Sequence, residues 1–216
     1  MTIAYENARI VFVTDPQAKA CDRPEGYLTL DDSDLDKCFK ALRDGSSVWV
    51  RTTHGTRHLY HYLMQNYRYV KAAGGVLHTP ADQYLMIYRN GRWDLPKGMV
   101  ERIGPGIHPS GNGEAIWTHE KLRDAAAREV TEETGVSPSC VGRLIAKTYH
   151  IYDKYGGWHL KQTSWYEMTA PKQDTRPQTE EEITQAVWVP REDCIRRLEG
   201  SYASLRLLAE ALGIEN

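Results

Sequence analysis

KLRDAAAREVTEETGV, residues 121–136, is the stretch that decides how this chain is read. Leu122, Ala126 and Val130 recur every fourth residue with Ala125 beside them, and this apolar stripe predicts a helix. Gly135 stands where a helix C-terminus needs a residue free to adopt positive φ. At about 100° per residue, Glu129, Glu132 and Glu133 fall within an arc of about 100°. Carboxylates crowded on one helical edge repel each other unless a cation lies between them. Hard oxygen donors of this kind suit Mg²⁺ or Mn²⁺, which keep waters and bind substrate phosphates. A solvated charged face is the simpler alternative. Against it, acidic side chains in a last turn oppose the helix macrodipole, which favours Lys or Arg there. Leu95-Pro96-Lys97-Gly98 lies upstream as a tight turn that carries a cation and follows a strand.

Arg128-Glu129-Val130-Thr131-Glu132-Glu133-Thr134-Gly135-Val136 resembles the second half of the Nudix box. That box runs Gly, five residues, Glu, seven residues, then Arg-Glu-apolar-x-Glu-Glu-x-Gly-apolar. Glu120 stands eight before Arg128, where the box has its first Glu, and Ala125-Ala126 fits the small pair before Arg-Glu. Leu95-Pro96-Lys97-Gly98 matches the common opening of the box. The first half departs from the pattern, because the position six before Glu120 is Glu114. With Gly98 as the box glycine, 21 residues intervene before Glu120, which reads as a 16-residue insertion at about 102–117. The resemblance covers about residues 70–216.

The 216 residues suffice for one large domain, or one domain with a smaller partner. A net charge of −2 gives no sign of a partner among nucleic-acid polymers. No apolar run has the length of a membrane span, and MTIAYENARI lacks a signal-peptide profile, so a cytoplasmic protein is expected. Cys21, Cys38, Cys140 and Cys194 are scattered without a C-x-x-C pair, which fits reduced thiols better than a disulfide framework or a zinc site.

Residues 1–68 read as an N-terminal extension of order β-α-β-α, and 69–216 as the Nudix-like domain. In the extension, 8–13 is a strand and 15–27 is turn-rich. Asp31-Asp32-Ser33 starts a helix, 48–50 is a short strand, and 57–65 is a second helix. His54, His58 and His61 lie at helical spacing. That spacing admits a metal site, but no acidic or Cys ligand joins them in the sequence, so they read as surface or packing histidines. Beyond, 69–77 reads as a strand broken by two glycines and 83–88 as a strong strand, with Asn90-Gly91 a hairpin signal. The insertion RIGPGIHPSGNGEAIW is rich in Gly and Pro and reads as a loop, either a lid or an inert excursion. Strands at 144–152, 158–168 and 186–189 follow, then helices after Pro190 and over 202–212. Mixed strands with a central helix and terminal helices give an α+β class. The resemblance implies an α/β/α sandwich with a mixed sheet.

Hydrolysis of a pyrophosphate link needs neutralised phosphate charge, a deprotonated water and in-line placement. The resemblance implies Glu129, Glu132 and Glu133 as metal ligands, with the Gly98 carbonyl completing the sphere. It implies that Arg128 pairs with Glu120 and fixes the loop against the helix. Lys97, Lys147 and Lys161 are candidate phosphate contacts, and Arg89 and Arg92 carry the same charge. For the base, Glu181 and Glu182 lie in an acidic loop before Trp188, and Glu129 is the alternative.

WDLPKG, LKQTSWYEM and PQTEEEI are similar to segments of a bacterial Nudix subgroup that cuts diadenosine polyphosphates or diphosphoinositol phosphates. The expected activity is Mg²⁺-dependent cleavage of a nucleoside diphosphate linked to another moiety, with a dinucleoside polyphosphate or related polyphosphate as the small-molecule substrate. The alternatives are a hydrolase of modified nucleoside triphosphates or of ADP-ribose-like nucleotide sugars, and a non-catalytic ligand-binding protein of the same fold. N-terminal extensions used in homodimers occur among the nucleotide-sugar members, so a homodimer belongs to that alternative.

Overall fold

The computed structural model describes residues 1–13, 24–107 and 115–213. Most of the turn-rich reading of 15–27, Cys21 and the centre of the insertion, 108–114, lie outside the described residues. The chain divides into two compact units. One comprises Met1–Val70, Thr148–Gln162 and Ile195–Asn216, the other Lys71–Lys147 and Thr163–Cys194.

In the first unit, β1 (Thr2–Tyr5) and β2 (Ala8–Val13) form a hairpin with Ile3 opposite Ile10. The hairpin turns through Glu6 at φ 48°. β3 (Leu28–Asp31) and β4 (Val48–Arg51) run parallel to each other, and β4 also pairs parallel with β2. The helix α1 (Leu35–Arg43) connects β3 to β4. Asp34 caps it by accepting the Lys37 N–H at 3.0 Å. Leu35, Cys38, Phe39 and Leu42 lie on its apolar side and are buried. Together with Leu59 and Leu63 of α2 (Thr56–Asn66), they pack on Ile10, Phe12, Val48 and Val50. The sequence reading anticipated one strand ahead of α1; β1 and β3 are additions to it.

The second unit holds β5 (Arg68–His78, from Lys71 onward), β6 (Gln83–Arg89), β7 (Arg92–Asp94) and β8 (Lys97–Met99). β6 and β7 form a tight hairpin, Ile87 opposite Asp94 and Arg89 opposite Arg92, with Asn90 and Gly91 both at positive φ. β8 pairs antiparallel with β5, Ala73 opposite Gly98 and Gly74 opposite Lys97. The glycines at 74 and 75 do not break β5, contrary to the sequence reading. A Cβ at Gly75 would overlap the Val130 side chain, so the glycine lets the helix α3 (Leu122–Thr134) lie close against the strand. Ala125, Ala126 and Val130 of α3 pack on Ala73, Leu77 and Leu85, as the apolar stripe predicts. The helix ends at Gly135 with φ 75°.

β9 (Arg102–Ile107) and β10 (Ala115–His119) correct the loop reading of the insertion. They form a two-stranded antiparallel ribbon, Ile107 opposite Ala115 and Gly106 opposite Ile116, with an irregularity between Trp117 and His119. An isolated ribbon tolerates Pro105 because neither strand lies between two others. β11 (Cys140–Lys154) and β12 (Gly157–Thr169) contribute residues to both units. β13 (Ile183–Pro190) pairs antiparallel with β6, with a register shift between Ile183 and Gln185. Two helices follow, α4 (Arg191–Glu199) and α5 (Ala203–Gly213). Among the described residues, five helices with a mixed sheet give the α+β class. No helix among the described residues is long and apolar enough to cross a membrane. Cys38 and Cys194 are buried and Cys140 is exposed, and none of the three is in a disulfide.

Candidate active site

The last two turns of α3, the turn into β8 and the ends of β6 and β7 bring the chemistry together in the second unit. The β6–β7 register sets Arg89 and Asp94 diagonally across one face of the hairpin. The β5–β8 register then holds Lys97 and Gly98 beside α3.

Glu133 has no exposed surface. It accepts the backbone N–H of Lys97 at 2.8 Å and pairs with Arg89 Nη1 at 3.1 Å. Burial raises its pKa to about 7 against the opposing pull of Lys97 and Arg89. Glu129 is also buried, and burial raises its pKa despite the adjacent Arg128. A Cβ at Gly98 would overlap the Glu129 carboxylate, so only glycine leaves that close approach open. Glu132 is half-exposed.

Arg128 binds this edge together. Its Nη1 lies 2.8 Å from Glu129 and 2.7 Å from Glu132. Its Nη2 donates to Glu120 at 2.6 Å and to the Met99 carbonyl at 3.0 Å. The planar fork therefore ties the helix, the β8 strand and Glu120, two residues before α3, into one body.

Arg89 joins the other acidic groups. Besides Glu133 it reaches Asp94 at 3.3 Å and Glu181 at 3.4 Å. Asp94 is buried, and its carboxylate also accepts the Leu95 N–H at 2.7 Å and pairs with the Lys97 ammonium. Burial would raise its pKa, but Lys97 and Arg89 outweigh that and hold it below the ordinary carboxylate range. Sequence reasoning missed Asp94, whose role depends on a hairpin register that the WDLPKG string does not state. The Lys97 side chain, a candidate phosphate contact, is buried against Asp94. Lys147 is exposed on β11 and Lys161 half-buried on β12. Of the candidate bases, Glu181 ends a short 3-10 turn (Thr179–Glu181) and reaches Arg89. Glu182 caps that turn with φ 60° and is exposed.

Among the described residues no group of three or more His, Cys, Asp or Glu side chains converges as a metal cage. Arg128 and Arg89 hold the carboxylates instead. The donor set still suits a hard divalent cation: crowded carboxylate oxygens beside a glycine whose missing Cβ leaves room next to one of them.

The NUDIX domain model matches residues 68–210. Among solved structures, a MutT protein from Methanosarcina mazei Go1 is 21% identical, with 69% of this chain and 96% of that chain covered at a TM-score of 0.50. An Ap4A hydrolase from C. elegans is 22% identical, with 67% and 95% covered at a TM-score of 0.44. The NUDIX domain of Shewanella oneidensis NrtR, complexed with ADP ribose, is 20% identical, with 70% and 95% covered at a TM-score of 0.46. At 21% identity the likeness to the Methanosarcina mazei protein speaks to the fold alone. No curated protein sequence matches significantly. The family match spans the α3 carboxylate edge and the strands that position it, and on that match the chain belongs to the NUDIX family of hydrolases.

Proposed function

We propose that the chain is a Mg²⁺-dependent pyrophosphohydrolase, with Mn²⁺ as a substitute, acting on a nucleoside diphosphate linked to another moiety. A dinucleoside polyphosphate or related polyphosphate is the favoured substrate class. The observation that carries the reading is the juxtaposition of Glu129, Glu132 and Glu133 with Gly98, flanked by the Arg89 guanidinium.

In the reaction a water oxygen bonds to phosphorus, the bridging P–O bond breaks, and the leaving phosphate carries off the electron pair. Glu129, Glu132, Glu133 and the Gly98 carbonyl are the groups that would hold the cation. Once bound, it neutralises phosphate charge and acidifies a water. Arg89 offers a guanidinium at the edge of the cluster, suited to a phosphate oxygen once it exchanges an acidic partner. Glu181, half-exposed and held near the cluster through Arg89, suits the role of proton acceptor better than Glu182. Arg128 keeps the helix edge and β8 in register.

A panel with Mg²⁺ tests the substrate class. It contains diadenosine polyphosphates, diphosphoinositol phosphates, normal and oxidised nucleoside triphosphates, ADP-ribose and NADH, with Glu133→Gln as control. Preferred turnover of the dinucleoside or inositol polyphosphates, lost in the control, supports the proposal. Preference for ADP-ribose or oxidised triphosphates moves the substrate to those classes. No turnover above the control by a folded protein contradicts the enzymatic reading and favours a ligand-binding role.

A further inference from the structure

In the sequence no carboxylate accompanies His54 and His58, but the fold brings one to them. Asp32, immediately after β3, is fully buried. Its Oδ1 accepts the Thr53 N–H at 2.8 Å and the Thr53 hydroxyl at 2.6 Å. Its Oδ2 accepts the His54 N–H at 3.0 Å, and Oδ1 lies 3.0 Å from His54 Nδ1. Burial would raise its pKa, but the Thr53 and His54 hydrogen bonds outweigh that and keep it well below the carboxylate range. An ionised carboxylate can only accept. Nδ1 of His54 is therefore the donor, and in the neutral ring the lone pair sits on Nε2.

A carboxylate that fixes an imidazole in this tautomer is the usual companion of a metal-binding histidine. His54 is half-exposed, and it is Nδ1 rather than Nε2 that faces the buried Asp32. Gly55, at φ 80° and ψ 167°, turns the chain between His54 and the start of α2. The ring of His58, in the first turn, then lies 5.3 Å from that of His54, centroid to centroid, at 50°. Two imidazoles on one tetrahedral ion, each with a metal–nitrogen bond of about 2 Å, have centroids about 5 Å apart.

We propose that His54 Nε2 and the His58 ring form a surface site for a borderline divalent transition-metal ion, Zn²⁺ being the reference case, with Asp32 orienting His54. Water completes the coordination, so the site is a two-imidazole one of micromolar affinity rather than a closed cage. Bound metal links the loop after β4 to the first turn of α2. Imidazole donors favour Zn²⁺ over Mg²⁺, whereas the carboxylate edge of α3 favours hard ions, so the two sites separate by metal.

Calorimetric titration of the full chain with Zn²⁺ in excess Mg²⁺ tests the site. The expected result is one Zn²⁺ per chain with micromolar affinity, weakened about tenfold or more in His54→Ala and in His58→Ala, and kept in Glu133→Gln. Asp32→Asn should weaken binding about 10- to 100-fold. Because Asp32 also anchors its loop, the exposed His58 is the decisive position. Absence of zinc uptake, uptake unchanged in folded His58→Ala, or uptake lost in Glu133→Gln overturns the proposal.

Discussion

Glu101 and Glu120 are hydrogen-bonded twice although the β9–β10 ribbon lies between them. The Glu120 N–H donates to the Glu101 carbonyl at 3.1 Å, and the Glu101 N–H donates to the Glu120 carboxylate at 2.8 Å. The ribbon thus leaves and re-enters the chain at one point. Arg128 reaches the same Glu120 carboxylate at 2.6 Å. Replacing residues 102–119 by Gly-Gly restores five residues between Gly98 and Glu120. We predict a folded variant whose melting temperature stays within about 5 °C of the parent, since the loop closure it shortens costs little. Calorimetry checks the fold. A rise in KM on the preferred substrate with kcat retained would make the ribbon a substrate contact, and identical kinetics on every substrate would make it inert.

Arg128→Ala removes the common partner of Glu120, Glu129, Glu132 and the Met99 carbonyl. The expected loss is about 1.5–3 kcal/mol of unfolding free energy, the range for hydrogen bonds to charged groups. Arg128→Lys should recover less than half, because an ammonium cannot reproduce the planar fork. Urea denaturation distinguishes the variants. Equal stability of the Lys variant and the parent would show that charge alone suffices.

Gly98→Ala places a methyl on the Glu129 carboxylate. Either the carboxylate or β8 must move. The expected cost is about 1–3 kcal/mol, with turnover reduced more than stability. A variant as active as the parent would remove the Gly98–Glu129 approach from the site.

Cys38 supplies a pH dependence away from the site. Burial first, and then the neighbouring Asp34 and Asp31, push its thiol up to about 11. The folded state therefore favours the neutral thiol. Its contribution is complete below the unfolded thiol pKa, about 8.5, and is lost as pH rises towards the folded value. Stability should fall by about 2–3 kcal/mol on this account between pH 8 and 11. In Cys38→Ala the fall should be smaller by that amount, although the variant begins less stable at pH 7. Parallel pH curves for the two proteins would contradict the assignment.

α3 was legible because a buried stripe and an acidic edge both repeat at helical spacing, and the two readings agree. The ribbon was not legible: RIGPGI carries Gly and Pro, which signal loops, and only pairing with 115–119 makes it a strand. β1 escaped because Glu6, rather than Gly or Asn, takes the positive φ of its turn. The Arg89–Asp94 pair and the burial of Lys97 depend on strand register, which composition does not encode. The Asp32–His54 contact joins residues 22 positions apart, beyond the reach of any local pattern.

The most direct test is hydrolysis of diadenosine tetraphosphate at saturating Mg²⁺, compared with EDTA and with Glu133→Gln. Glu133 is bound to the Lys97 backbone and to Arg89, and Gln can keep the first of these bonds, so the variant should fold. The account predicts metal-dependent release of nucleotide products, abolished by EDTA and reduced about 100-fold or more in the variant. Turnover that survives EDTA, or that is unchanged in folded Glu133→Gln, would contradict the placement of the reaction at the carboxylate edge of α3.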